Sequence, residues 1–241
     1  MKRIIFRGAG VAIVTPFNED GINFDELGRL IDYQIENSTD AIIITGTTGE
    51  SATMDDAEHK AAIKFAVEHV NKRVPVVAGT GSNDTAYAIQ LSQYAEKVGA
   101  DALLVVTPYY NKCTQNGLVA HYNNIADNVN LPIILYNVPT RTGVNIKPET
   151  YFKLSQHPRI VAVKEANGDL SSIVRTKKLC GDELEIYSGN DDQIVPILSV
   201  GGKGVISVLS NVAPKDTHLI CQLYFEGKVE AAAKLQIDYS D

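Results

Sequence analysis

The sequence has few of the features that mark disulfide frames, metal centres or membrane segments. Its 241 residues include only three cysteines. These lie far apart and outside any CxxC or Cys/His pattern, which indicates reduced thiols rather than a disulfide framework or a zinc site. No apolar run approaches transmembrane length, and the run at the amino terminus is too short for a signal peptide. We therefore expect a cytoplasmic protein that does not bind membranes.

The chain also lacks a concentration of positive charge. The net charge is −7 and the sequence pI about 5.3, with the basic residues scattered. This argues against a nucleic-acid surface or an anchor for anionic membranes. The 44% hydrophobic and 21% charged content is ordinary for a globular protein, with room for one large α/β domain or two small ones.

Several catalytic motifs are missing as well. No Walker lysine follows the stretch 46–49, and Gly79-Thr80-Gly81 lacks the third glycine and the downstream acid of a dinucleotide site. There is no GxSxG elbow and no cysteine beside a histidine. The histidines fall in predicted helices or loops, where we expect surface residues rather than a metal constellation. They are His59, His69, His121, His157 and His218.

What the chain does have is a repeated unit, in which a short apolar run precedes an amphipathic segment of helical length. The runs cover residues 11–17, 41–46, 75–81, 101–110, 132–139, 160–166, 184–189 and 204–210. The helical segments lie near 23–37, 55–71, 84–98, 115–129, 148–156, 170–180, 191–200 and 214–227. Such alternation predicts parallel βαβ units. Because a doubly wound sheet would need a Gly-rich phosphate turn, the pattern favours a closed (β/α)8 TIM barrel, a fold of about 250 residues.

The unusual polar and aromatic residues follow the apolar runs. They include Thr15, Thr47, Thr48, Tyr109, Tyr110, Tyr136, Lys164 and Gly189. In a (β/α)8 barrel the carboxyl ends of the strands surround one mouth, where active sites lie. The set therefore predicts a site at that mouth.

Lys164 ends a β-branched run that is predicted to be a buried strand. It could simply leave the sheet for solvent or pair with Glu165. The functional interpretation is a desolvated amine that forms imines with carbonyl compounds. At an ordinary pKa only on the order of 0.1% of a lysine is neutral at pH 7, and burial would lower that pKa.

Groups suited to imine chemistry follow the neighbouring runs. Tyr136 is a candidate proton shuttle, Arg141 a candidate carboxylate clamp, and the backbone amides of 46–49 a second carboxylate site. Each position also has a structural interpretation: Arg141 as a solvated loop cation, Tyr109 and Tyr110 as rim residues, and Thr47 and Thr48 as helix caps.

Six motifs together carry a family resemblance. They are GTTGES (46–51), TPYYN (107–111), YNVPTRTG (136–143), VKEA (163–166), SGND (188–191) and GVISV (204–208). From Gly8 to about Lys228 the chain resembles the dihydrodipicolinate synthase family, within the N-acetylneuraminate lyase group of class I aldolases. The resemblance implies condensation of pyruvate with L-aspartate-4-semialdehyde to 4-hydroxy-tetrahydrodipicolinate, the first committed step of lysine (diaminopimelate) biosynthesis.

The resemblance also implies roles. Lys164 would hold pyruvate as an imine, so that no external cofactor is needed. Tyr136 would transfer protons through Thr47 to Tyr110 of a neighbouring subunit, in a homodimer or homotetramer. The substrate-binding residues would be Thr48 for pyruvate, Arg141 for the semialdehyde, and Gly189 and Ile206 through main-chain groups.

Two alternatives stay open. N-acetylneuraminate lyase and keto-deoxy sugar acid aldolases share the lysine and the tyrosine but generally lack an arginine at the position of Arg141. Family members also continue into further helices, so residues 1–227 are expected to form the barrel and 228–241 a remnant of the helical region. A shortened chain could be an inactive scaffold.

Asp56 and Tyr87 differ from the residues that lysine-inhibited members of the family have at these positions. This difference predicts weak or absent inhibition by lysine.

Overall fold

The computed structural model describes residue 2 and residues 4–239, and it confirms the (β/α)8 barrel. The barrel strands β1 to β8 are Gly8–Ala12, Ala41–Ile44, Val76–Gly79, Ala102–Val106, Ile133–Asn137, Ile160–Glu165, Glu185–Ser188 and Gly204–Ser207. All eight are parallel and close on themselves in the order β1-β8-β7-β6-β5-β4-β3-β2. Each is followed by the helix of the same number. The helices α1 to α8 are Phe24–Glu36, Asp56–Val70, Thr85–Val98, Gln115–Asp127, Pro148–Leu154, Leu170–Cys180, Ile194–Ser199 and Pro214–Phe225.

The first strand differs most from prediction. It was expected at 11–17, but the ladder runs over Gly8–Ala12. The two glycines are needed for close approach, since a Cβ would lie 2.0 Å from the Asp40 carboxylate at Gly8 and 2.6 Å from an Ile43 methyl at Gly10. Hydrophobicity alone does not reveal this crowding. Part of the expected run instead enters a small hairpin of Phe17–Asn18 and Gly21–Ile22.

Local signals fix the helix ends. Asp55 begins α2 with a full capping box, in which its side chain accepts from the Glu58 amide while Glu58 reaches back. Asp84 caps α3 without such a box, its side chain accepting from the amides of Ala86 and Tyr87. Asp25 lies in the first turn of α1, which is capped by Asn23.

The core has two layers. One lies between the strands and the surrounding helices, and the other fills the barrel with apolar side chains. At the amino-terminal end of the barrel, Phe6 stacks on Tyr187 with 4.4 Å between ring centroids. The Tyr187 hydroxyl donates to the Phe6 carbonyl at 2.6 Å. This packing closes the barrel at the end opposite the predicted mouth.

A further helix follows the barrel. The sequence predicted only a beginning of helix after 227, whereas α9 spans Val229–Asp238 and packs against α8. Its Gln236 accepts from the Val195 amide at 2.7 Å and donates to the Asp192 carbonyl at 2.8 Å. The boundary between 1–227 and 228–241 stays a prediction, and its residues 1, 3, 240 and 241 lie outside the described part. None of the helices in that part has the length and apolarity to cross a membrane.

Candidate active site

A cavity of about 610 Å³ lies at the carboxyl ends of the strands. It brings together six of the eight predicted site residues. They are Thr47, Thr48, Tyr136, Arg141, Lys164 and Gly189. Residues from β2, β5, β6 and β7 or the loops after them thus meet at the mouth, where the fold places its chemistry.

Lys164 is buried in this cavity. It is directly opposite Tyr136 in the ladder between β5 and β6, is 4% exposed, and holds its Nζ 4.5 Å from the Tyr136 ring centroid. Burial lowers the pKa of Lys164 to about 8; Asp191 opposes this shift, and the Arg141 charge adds to it. About a tenth of the amine is then neutral at pH 7. The alternative interpretation, a lysine that leaves the sheet for solvent or pairs with Glu165, is wrong. Lys164 is buried, and the described contacts of the Glu165 carboxylate are to other groups.

Tyr136 is a buried phenol beside this amine. Burial raises its pKa, while a hydrogen bond with Thr47 and the charge of Arg141 lower it in part. A phenol that holds its proton at neutral pH and touches a hydroxyl can pass protons between the cavity and Thr47.

The turn after β2 is strained at its start. Thr45, a β-branched residue, has φ +53° and donates to the Ile44 carbonyl at 2.7 Å. The Gly49 amide donates to Gly46 and that of Glu50 to Thr47. Among the described residues the amides of Thr47 and Thr48 find no acceptor, so they are free to bind a carboxylate. The interpretation of these threonines as helix caps is wrong, since Asp55 caps α2.

Arg141 lies in a short helix, Pro139–Thr142, between β5 and α5. It is exposed and forms no ion pair with any described residue. It lines the Lys164 cavity and also a neighbouring cavity of about 800 Å³. An unpaired guanidinium between two cavities is available to clamp a carboxylate.

Two predicted residues lie elsewhere. Tyr110 lines only the 800 Å³ cavity, is 86% exposed and has φ +75°. Ile206 is fully buried inside the barrel and does not line the Lys164 cavity with its side chain. Thr47 lines both cavities, but among the described residues no hydrogen bond joins it to Tyr110. Within one copy of the chain the expected link from Tyr136 through Thr47 is therefore not completed by a contact to Tyr110.

The sequence did not single out Asp191, although it ends the quoted SGND motif. It lines the cavity, and its Oδ2 accepts from the amides of Val208 and Leu209 at 3.1 and 3.0 Å. Its charge counters the lowering of the Lys164 pKa. An acid just after β7, next to the strand that carries the lysine, was the signal available.

The expectation of surface histidines is wrong for two of the five. His59 is 6% exposed and its Nε2 lies 2.8 Å from the Gly79 carbonyl. His121 is also 6% exposed, with Nδ1 2.8 Å from the Thr85 hydroxyl. Both face the core from the inner sides of α2 and α4. Within the described residues no three His, Cys, Asp or Glu side chains are grouped to hold a metal.

The lining of the 800 Å³ cavity bears on the predicted weak inhibition by lysine. Tyr87 lines it, and its hydroxyl is hydrogen-bonded to the Asp56 carboxylate. Asp56, the acidic one of the two residues that depart from the pattern of lysine-inhibited family members, thus already has Tyr87 as a hydrogen-bond partner. The weak inhibition itself stays a prediction.

The fold and the site define a class: a (β/α)8 barrel with a desolvated lysine amine at its mouth. The sequence matches the Dihydrodipicolinate synthetase family over residues 5–240. It is 57% identical to 4-hydroxy-tetrahydrodipicolinate synthase 1 of Clostridium acetobutylicum over 97% of this chain and 80% of that protein. The chain belongs to the dihydrodipicolinate synthetase family.

Solved structures of dihydrodipicolinate synthases are similar to this chain in fold as well as in sequence. The crystal structure of dihydrodipicolinate synthase from Aquifex aeolicus superimposes with a TM-score of 0.94 and 42% identity, over 96% of this chain and 80% of that one. The chloride-inhibited enzyme from Acinetobacter baumannii, complexed with pyruvate, has a TM-score of 0.93 and 42% identity, over 95% and 79%.

Proposed function

We propose that this chain condenses pyruvate with L-aspartate-4-semialdehyde to form 4-hydroxy-tetrahydrodipicolinate, the first committed step of lysine biosynthesis. The observation that carries the proposal is the buried Lys164 amine, 4% exposed, in one cavity with Tyr136 and Arg141. We place the reaction in the cytoplasm, because the three unpaired cysteines would stay reduced there.

The reaction begins at Lys164. Its neutral Nζ attacks the carbonyl carbon of pyruvate to form a carbinolamine, and loss of water leaves an imine. Tyr136 gives the proton that leaves with the water, and Thr47 lies next to it as the first step of a relay. The protonated imine is the electron sink of the reaction, so no external cofactor is required.

Carbon–carbon bond formation follows. The Tyr136 phenolate left by the loss of water takes a proton from the methyl carbon of the imine. The resulting enamine attacks the aldehyde carbon of the second substrate, and the aldehyde oxygen takes a proton from Tyr136 as it becomes a hydroxyl. Arg141 holds the carboxylate of that substrate at the mouth. The substrate's own amine then attacks the imine carbon, the ring closes, and Lys164 leaves as the free amine.

Backbone groups hold pyruvate. The amides of Thr47 and Thr48 bind its carboxylate, while Gly189 and Ile206 contribute main-chain groups to the pocket. Gly189 has no room for a side chain, because a Cβ there would lie 2.7 Å from that of Ala166. The A. baumannii relative complexed with pyruvate supports this choice of first substrate.

The relay is completed by a second copy of the chain. We propose a homodimer, alone or paired into a homotetramer, in which Tyr110 of each subunit reaches the site of the other. The exposed position of Tyr110, outside the Lys164 cavity of its own chain, supports this arrangement.

The other aldolases of the superfamily are not favoured. Curated relatives with 55–58% identity carry the synthase name, and an arginine is present at 141. The inactive-scaffold alternative predicts a folded protein whose amine does not react.

The test is incubation with pyruvate and borohydride, followed by intact mass and peptide mapping. We expect a stable pyruvate adduct on Lys164. Lys164→Met, checked for folding by circular dichroism, is the matched control and should gain no adduct. No adduct on the folded wild type would favour the scaffold, and an adduct on a different lysine would overturn the site.

A further inference from the structure

A carboxylate lies directly behind the candidate nucleophile. Glu165 follows Lys164 on β6, and because side chains alternate along a strand it points away from the cavity. It is 3% exposed. It accepts from the Tyr151 hydroxyl at 2.6 Å, from Asn137 Nδ2 at 2.8 Å and from the Asn167 amide at 3.0 Å. Three donors thus converge on one buried acid.

Asn137, at the end of β5, connects this acid to a loop. Its second Nδ2 proton goes to Asn145 Oδ1 at 2.8 Å, and its Oδ1 accepts from the Ile146 amide at 3.1 Å. The side chain uses both donors and its acceptor. The segment 138–146 is therefore fastened at its far end to the strand from which it departs.

That segment carries Arg141. The register places Tyr136 opposite Lys164 and, one residue later, Asn137 opposite Glu165. The first pair faces the cavity and the second pair ties the same two strands together behind it. One carboxylate therefore links the strand of the nucleophile to the loop that bears the guanidinium.

On the basis of the proposed function, we propose that Glu165 is a positioning residue for the second substrate. It holds Asn137, and through it the segment 138–146, so that Arg141 meets the carboxylate of the aldehyde. Glu165 does not touch the substrate and acts through Arg141.

The chemistry of the contacts explains why an acceptor is needed here. All three partners donate, so the position requires a side chain with oxygens that accept, as the Glu165 carboxyl group has. A small apolar residue would leave buried donors unpaired, including Nδ2 of Asn137. A glutamine would still present one oxygen to Asn137 and Asn167, and the Tyr151 hydroxyl can turn to accept from its amide. A fully satisfied polar network rigidifies what it joins.

The main variant is Glu165→Ala, assayed by steady-state kinetics. We expect the KM for aspartate semialdehyde to rise roughly 10- to 100-fold, because small misplacements of a binding group have effects of this size. The KM for pyruvate and the yield of the borohydride adduct should stay within about threefold of wild type. Glu165→Gln, the conservative variant, should restore the aldehyde KM to within about threefold.

Two further variants separate positioning from general structural damage. Tyr151→Phe removes a contact to the same carboxylate on the helix side and should leave the aldehyde KM unchanged. In an Arg141→Ala background, Glu165→Ala should add little to the aldehyde KM, since both changes act on one interaction. If Glu165→Ala does not fold, Asn145→Ala replaces it, because the Asn145 side chain is exposed and its Oδ1 accepts from Asn137 at the far end of the segment.

The inference is overturned by an unchanged aldehyde KM in Glu165→Ala or Asn145→Ala, by equal rises for both substrates, or by effects that add fully to those of Arg141→Ala. Its failure is distinct from failure of the proposed function. Turnover and adduct formation by the wild type test that function without reference to Glu165.

Discussion

Lys164 shows what it takes to hold a reactive amine in a barrel. Desolvation lowers its pKa to about 8, because the charged form has lost its water without gaining a direct ion-pair partner among the described residues. The neutral nucleophile is thereby obtained at the expense of stability. Below the folded-state pKa the protein must keep a charge buried.

We therefore expect Lys164→Met to be more stable than wild type at pH 7, by on the order of 3 kcal/mol. Between the folded pKa of about 8 and the ordinary value of 10.5, the unfolded chain binds the proton and the folded one does not. Wild-type stability contributed by this group thus rises with pH across that interval. The advantage of the variant should shrink between pH 8 and 10.5, as measured by urea unfolding of both proteins. A constant difference would show that the amine is not desolvated.

At this scale the sequence revealed the residues with unusual chemistry and missed the residues that support them. Lys164, Tyr136 and Arg141 stand out because of their type and their place at strand ends. Glu165 and Asn137 lie at the ends of two predicted strands, and nothing in either run marks them as partners until the register puts them side by side. Pairing across strands is a tertiary property, so no single run of sequence contains it.

Among the elements, the eight strand–helix units were predicted to within a few residues, apart from β1. The irregular pieces were not predicted. Two of them are the short helix Pro139–Thr142 and the hairpin at Phe17–Asn18. Both are too short to show a helical or strand periodicity in the sequence. Each is closed by one or a few local hydrogen bonds, such as that of the Gly143 amide to the Pro139 carbonyl at 2.9 Å and that of the Asn23 amide to the Pro16 carbonyl at 2.9 Å.

One contact joins α8 to the start of the barrel. Asp40 accepts from the Ala9 amide at 2.7 Å and from His218 Nδ1 at 2.8 Å. The hydrogen bond to Asp40, reinforced by its charge, raises the pKa of His218 above 6.5, although partial burial lowers it. The contribution of this pair to stability is therefore greatest while the imidazole is protonated.

We expect His218→Leu to lower the free energy of unfolding by about 1 kcal/mol, with a stronger effect at pH 6 than at pH 9. A raised folded pKa adds stability that is fully present below 6.5 and lost as pH rises through the folded value. Urea titrations at both pH values measure this. In an Asp40→Asn background the pH dependence of the difference should disappear; its persistence would assign the effect to another group.

For the whole molecule, one copy of the chain holds an incomplete relay. Lys164, Tyr136 and Thr47 share a cavity, whereas Tyr110 is 86% exposed and lines the adjoining one, to which Thr47 also contributes. The motif names Tyr110, and its action from a neighbouring subunit is what the family resemblance implies. A large exposed aromatic next to a site it is expected to serve fits a contribution to the partner.

Mixed oligomers test this directly. Lys164→Met and Tyr110→Phe chains, each expected to be nearly inactive alone, can be co-expressed with different tags and isolated as mixed dimers. If Tyr110 acts across the interface, one site in each mixed dimer combines an intact Lys164 with an intact tyrosine from the partner, and about half of the wild-type activity returns. If it acts within its own chain, both sites stay defective and no activity returns.

The matched control pairs Lys164→Met with Tyr136→Phe. Because the Tyr136 ring lies 4.5 Å from the Lys164 Nζ of its own chain, no mixed site is intact and activity should stay absent. Recovery in the control would mean that mixed dimers regain activity by a route that does not depend on Tyr110, and recovery only with Tyr110→Phe would assign that tyrosine to the partner's site.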